Sequence, residues 1–134
     1  ALEDSASKGY LEVVKYLVEN RADNLNQALE NSAMNGHLEV VKYLVENGAD
    51  IRANNDRALD NSTLHGHLEV VKYLVENGTD NINKALHYSA YRGHLEIVKY
   101  LIENGADKID KALENSAYRG HLEVVDYLVK NGAK

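Results

Sequence analysis

The sequence predicts an all-α solenoid of five helix-turn-helix repeats, and the prediction rests on recurrence, spacing and the pattern within one copy. The segment Leu-Glu-Val-Val-Lys-Tyr-Leu-Val-Glu-Asn stands at residues 11–20, returns intact at 38–47 and 68–77, and returns lightly edited at 95–104 and 122–131. A glycine precedes each copy, at Gly9, Gly36, Gly66, Gly93 and Gly120, giving steps of 27, 30, 27 and 27 residues. Steps of this length are those of supersecondary units that bury a continuous seam against their neighbours instead of a central core. The 134 residues therefore read as one repeat domain, 1–134, divided into repeats 1–23, 24–50, 51–80, 81–107 and 108–134.

Helix one of each repeat is short, with Ala28, Leu29, Ser32 and Ala33 as its packed face in the second copy. Leu is the anchor, and the small residues let neighbouring helices approach closely. An Asn or Asp two residues before the first Ala, at Asn26, Asp56, Asn83 and Asp110, is expected to cap the helix by accepting free backbone N–H groups. Gly-His, as at Gly36-His37, is short enough only to turn the chain into an antiparallel helix pair. In helix two, Leu38, Val41, Leu44 and Val45 follow helical spacing, with Val40 widening the apolar stripe. Glu39, Lys42 and Glu46 occupy the opposite, solvated face, where pairs three and four apart support the helix by about 0.2–0.5 kcal/mol each.

Asn47-Gly48 stops helix two, and the Asn-Gly pair recurs at 77, 104 and 131. The connection to the next helix one spans five positions from Asp23 to Ala28 but eight from Asp50 to Ala58, so one junction is longer by three. Each connection carries an apolar residue, Leu25, Ile51, Ile82 or Ile109, expected to plug the seam between repeats.

The run from Gly36 to Asp50 (Gly-His-Leu-Glu-Val-Val-Lys-Tyr-Leu-Val-Glu-Asn-Gly-Ala-Asp) resembles the ankyrin repeat, and the resemblance covers all five copies. The shortened repeat is similar to the ankyrin arrays of giant DNA viruses. Family repeats usually run about 33 residues and open helix one with T-P-L-H. This chain has no proline and offers Lys84-Ala85-Leu86-His87 as its nearest equivalent. The missing residues must come from the connection that forms a projecting β-hairpin finger in the family. The expected fold is thus an ankyrin-like solenoid with truncated or absent fingers, little or no strand, and a vestigial turn around residues 53–57. The resemblance also implies helix one on a concave side and helix two on a convex side.

The formal net charge of −6, from 15 basic and 21 acidic side chains, argues against a broad basic face that holds nucleic acid. No cysteine is present, which excludes thiol redox chemistry and thiolate metal sites and is compatible with a reducing compartment. No apolar run approaches the roughly 20 residues that cross a bilayer, so no membrane role and a cytoplasmic location are expected. Ala1 aligns with Ala28 inside the repeat. The chain is accordingly expected to be a fragment of a longer array or an engineered scaffold. Arg21 replaces the helix-ending glycine and the fifth repeat adds few charges, so the outer seams should be partly open, and end-to-end self-association is expected from them.

Comparing the five copies separates scaffold from candidate surface, because the helix-one positions vary most. The favoured partner-binding patch is Tyr88, Tyr91, Arg92, Tyr118 and Arg119, since Tyr and Arg combine contact area with a polar or charged tip. Met34, Asn35, Leu64 and His65 extend it, and Glu30, Asn31, Asp60, Asn61, His87, Glu114 and Asn115 belong to the same variable set. The resemblance implies that these positions line the concave face and contact a protein partner. The competing reading has Tyr91 and Tyr118 covering their own helices and the arginines paired with Glu114 and nearby Asp.

The repeated Tyr16, Tyr43, Tyr73, Tyr100 and Tyr127 read as scaffold. His37, His67, His94 and His121 read as backbone bridges between repeats, with Tyr10 in the first copy. His65-Gly66-His67 lacks the three or four ligands a zinc site needs, and no metal or cofactor is expected. Ser5, Ser32, Ser62, Ser89 and Ser116 share one repeating place, which suits packing and a bond to a carbonyl one turn back better than catalysis. The leading function is a noncatalytic protein-interaction scaffold. The alternatives are a structural spacer or engineered scaffold without a natural partner and, behind them, a metal-dependent or hydrolytic enzyme.

Overall fold

A computed structural model describes all residues from 1 to 134, and the chain is all-helical with no strand. Ten helices follow in order: α1 (Leu2–Ser7), α2 (Leu11–Glu19), α3 (Leu25–Met34), α4 (Leu38–Glu46), α5 (Ala53–Leu64), α6 (Leu68–Glu76), α7 (Ile82–Arg92), α8 (Leu95–Glu103), α9 (Ile109–Tyr118) and α10 (Leu122–Lys130). They form two compact units, Ala1–Thr79 and Asp80–Lys134. In the first, α1, α3 and α5 pack side by side and each pairs with the helix that follows it; in the second, α7 packs on α9 and each pairs with its successor in the same way.

The buried set follows from the repeat. Ala28, Leu29, Ser32 and Ala33 are buried in α3 as expected, and Val40, Val41 and Leu44 are fully enclosed in α4. The hydroxyls of Ser32, Ser62, Ser89 and Ser116 each donate to the carbonyl three residues back, Ser32 to Leu29 at 3.1 Å and Ser89 to Leu86 at 3.0 Å among them. Burial of a hydroxyl is thus compensated inside its own helix. Lys42 lies 3.9 Å from Glu39, and the same pair recurs on α2, α6 and α8, on an exposed surface where its contribution is small.

Helix-two stops are built as expected. The Ala49 N–H reaches the Leu44 carbonyl at 2.9 Å across Gly48, whose φ is +106°, so the last carbonyls are satisfied by a left-handed turn. Arg21 adopts φ +69° at the equivalent place, tolerating a conformation that glycine takes more easily.

Two expectations are corrected. Asn26, Asn83 and Asp110 are not N-caps: α3, α7 and α9 already begin at Leu25, Ile82 and Ile109, and no side-chain cap bond forms. Their side chains instead accept from the loop that ends the same repeat. Asn26 Oδ1 takes the Asp50 N–H at 2.7 Å, Asn83 Oδ1 takes the N–H groups of Asp107 and Lys108 at 2.9 and 3.1 Å, and Asp110 takes that of Lys134 at 3.0 Å. The connections are so short that the apolar residue expected to plug the seam is itself the first helical residue.

The second correction concerns Glu30, which is buried rather than part of the exposed variable set. Its carboxylate accepts from Asn54 Nδ2. Asn54 lies midway along the one long junction, and the turn expected near residues 53–57 is a left-handed one. Asn54, Asn55 and Asp56 have φ of 56°, 60° and 62°, so the regular right-handed part of α5 starts after them. Asn and Asp enter this region at lower cost than other side chains, and three in succession absorb the three extra residues without a projecting finger.

Candidate protein-recognition surface

The surface is built from the helix-one face left uncovered. In α7 the buried residues are Ala85, Leu86, Ser89 and Ala90, so 3.6-residue periodicity turns Lys84, His87, Tyr88 and Tyr91 the other way, with Arg92 on the flank. In α9, burial of Ala112 and Ser116 likewise turns Tyr118 outward, with Arg119 following at the C-cap.

Turn histidines set the spacing between neighbouring helices one. The His37 Nε2–H donates to the Ser7 carbonyl, His67 to that of Met34 and His121 to that of Tyr91, each at 2.9 Å. These bonds match the expected backbone bridges. Each ring lies against the preceding turn glycine, so that a Cβ at Gly36 would stand 2.6 Å from His67 Nδ1.

That bridge brings the residue before one turn glycine over the residue two before the preceding one. In the first unit the contact is polar: Asn35 Nδ2 donates to Ser7 Oγ at 3.1 Å. In the second it is cationic and aromatic: the Arg119 guanidinium lies 4.5 Å from the centroid of the Tyr91 ring. The geometry repeats while the chemistry changes.

Of the predicted site residues, Asn35 and His65 in the first unit are exposed, while Met34 and Leu64 are half-buried. His65 donates from Nδ1 to the Asn61 carbonyl at 2.9 Å, and its ring stacks against His67 at 6.5 Å. In the second unit Tyr91, Arg92, Tyr118 and Arg119 are exposed and Tyr88 is half-buried, with Tyr118 keeping 80% of its surface in solvent. Glu114 pairs with Lys111 at 3.8 Å, and neither Arg92 nor Arg119 has a carboxylate at ion-pair distance. The internal ion pairs expected in the competing reading are therefore not formed by these two arginines.

Sequence reasoning underweighted three neighbours. His87 accepts from Asn115 Nδ2 through Nδ1 and meets Tyr88 edge-on, and the Lys84 ammonium stands 6.0 Å from the Tyr88 ring. The signal was available once the copies were aligned, because His87 and Tyr88 replace the acidic or amide residues of the other repeats.

Charge is unevenly distributed. Residues 80–134 carry eight acidic and eight basic side chains, so the net −6 lies wholly in residues 1–79. Within the second unit the faces differ again. The helix-one segments 82–92 and 109–119 hold Lys84, Arg92, Lys111 and Arg119 against Asp110 and Glu114, whereas α8 and α10 hold Lys99 and Lys130 against four carboxylates. A hollow of about 280 Å³ lined by Leu95, Lys99, Glu123, Asp126, Tyr127 and Lys130 lies on the helix-two side. No helix is long and apolar enough to cross a membrane.

Comparison with curated proteins yields no match. A family model described as ankyrin repeats (3 copies) matches residues 2–85 and 79–134. Ankyrin repeats are generally protein–protein interaction modules and typically noncatalytic. The repeated helix pairs, the glycine-histidine turns and a match that spans nearly the whole chain lead to one assignment: the chain belongs to the ankyrin repeat family.

Proposed function

We propose that the chain is a noncatalytic recognition module that binds a protein partner through its helix-one face. Tyr88, Tyr91, Arg92, Tyr118 and Arg119 form the principal contact, and Met34, Asn35, Leu64 and His65 belong to the corresponding face of the first unit. The observation that carries this reading is the stack of Arg119 on Tyr91 at 4.5 Å beside an exposed Tyr118. A guanidinium held on an aromatic ring loses less freedom on association than a mobile one, and large aromatic rings supply contact area at low entropic cost. Conserving the helical scaffold while varying this face lets one fold present different chemistry at each repeat.

Affinity capture with the 134-residue chain, followed by mass spectrometry and titration of the partner found, tests the reading. Changing Tyr91 and Tyr118 together to Ala should weaken that partner by at least about 30-fold, the size of a hot-spot loss of about 2 kcal/mol. Glu39→Ala, on the helix-two surface, should change it less than about twofold. Equal effects of the two changes would remove the assignment to this face.

A further inference from the structure

We infer that the helix-one face of residues 80–134 takes an acidic, carboxylate-bearing segment of its protein partner, a conclusion that rests on the recognition reading above and specifies its chemistry. Three features converge. Arg92 and Arg119 are exposed and lack a carboxylate partner, although the chain as a whole is acidic. The two carboxylates on the same helices are already engaged, Asp110 by the Lys134 N–H at 3.0 Å and Glu114 by Lys111 at 3.8 Å, so neither neutralises the arginines. Arg119 is positioned by Tyr91, its guanidinium carbon 4.5 Å from the ring centroid, and a guanidinium carries a planar fork of N–H donors suited to bidentate carboxylate binding.

The surrounding rings define the rest of the ligand. Tyr118 and Tyr91 offer exposed aromatic area beside the two cations, which suits a segment that alternates acidic with apolar side chains. The helix-two side of the same unit carries the opposite charge balance, so an acidic segment is attracted to one face and repelled by the other. Among the five repeats only the fourth and fifth place arginine before the turn glycine; the others have Lys8, Asn35 and His65.

Fluorescence anisotropy with a labelled peptide of four Glu-Glu-Leu triplets tests this, using four Gln-Gln-Leu triplets as the uncharged control and a twelve-base oligothymidylate as a non-protein polyanion. The acidic peptide should bind at least about tenfold more tightly than the Gln peptide at low salt, weakening as salt screens the contact. Arg92→Glu with Arg119→Glu should abolish that preference, while Lys99→Glu, an equal charge change per site on the helix-two side, should leave it within about twofold. Arg119→Lys, which keeps the charge but loses the guanidinium fork, should fall between. Circular dichroism of each variant should match the parent, since all three positions lie outside the core.

No preference for the acidic peptide, an equal loss with Lys99→Glu, or oligothymidylate binding as tight as the peptide would each overturn the inference. The captured partner separates it from the broader reading. If that partner is lost with the Tyr91 and Tyr118 changes but retained when both arginines are reversed, protein recognition stands and the acidic segment does not.

Discussion

Gly36 and Gly120 share sequence context and backbone, with φ of +75° and +74°, yet they meet different surroundings. A Cβ at Gly36 would stand 2.6 Å from the His67 ring, whereas one at Gly120 would meet nothing within 4 Å. Gly120→Ala should therefore cost only the left-handed conformation, about 1 kcal/mol. Gly36→Ala should cost about 2–4 kcal/mol, because the ring must move and its bond to the Met34 carbonyl is disturbed. Urea unfolding of the two variants checks the difference, and equal losses would mean that the ring contact contributes nothing. Tyr91 shows the same dependence on a neighbouring repeat: its backbone carbonyl receives His121 while its ring carries Arg119.

Individual elements owe their ends to residues in other parts of the same repeat. Asn83 sits in the first turn of α7 but serves the loop beyond α8, where it accepts two backbone N–H groups. Asn83→Ala should destabilise the chain by about 1–2 kcal/mol, because both donors are left to water and the Nδ2–H bond to Asp107 Oδ1 at 3.0 Å is lost, while Asp110→Asn, which keeps an acceptor for the Lys134 N–H, should cost less than about 0.5 kcal/mol. Thermal denaturation distinguishes the two outcomes; identical losses would contradict the pinning role. Asp110, which does the same work with a carboxylate oxygen in the fifth repeat, is the internal precedent. The left-handed turn at Asn54–Asp56 is held from the preceding repeat instead, through Glu30 of its helix one.

At the scale of the molecule, identical sequence acquires different energetic weight according to its place in the array. Val40 is 1% exposed in α4, whereas Val13, at the same place in the same segment, is 45% exposed in α2. Val40→Ala should cost about 2 kcal/mol from lost burial and the cavity left behind. Val13→Ala should cost less than about 0.5 kcal/mol, as an exposed substitution does. Equilibrium unfolding measures both, and matching values would refute position-dependent burial. At the other end of the chain Leu122 is 76% and Val129 53% exposed, so the outer seams are open as expected. The division of charge is also a property of the whole, with −6 confined to residues 1–79 and a neutral remainder that separates its signs between two faces.

Fold class, the packed Ala-Leu-Ser-Ala face and the turn histidines were all legible in the residues, because each depends on short-range periodicity repeated five times. The variable helix-one positions were legible too, since a comparison of copies needs no coordinates. Their pairing was not. That Arg119 would lie over Tyr91, 28 positions earlier in the chain, depends on how far one repeat slides against the next, and the His121 bridge sets that distance in space. The true partners of Asn26, Asn83 and Asp110 were hidden for the same reason: a local capping rule competes with a loop 24 residues away, and only packing decides which N–H groups arrive first. Local periodicity determines which face each helix must bury, while the stacking of helix on helix determines which of the remaining side chains meet.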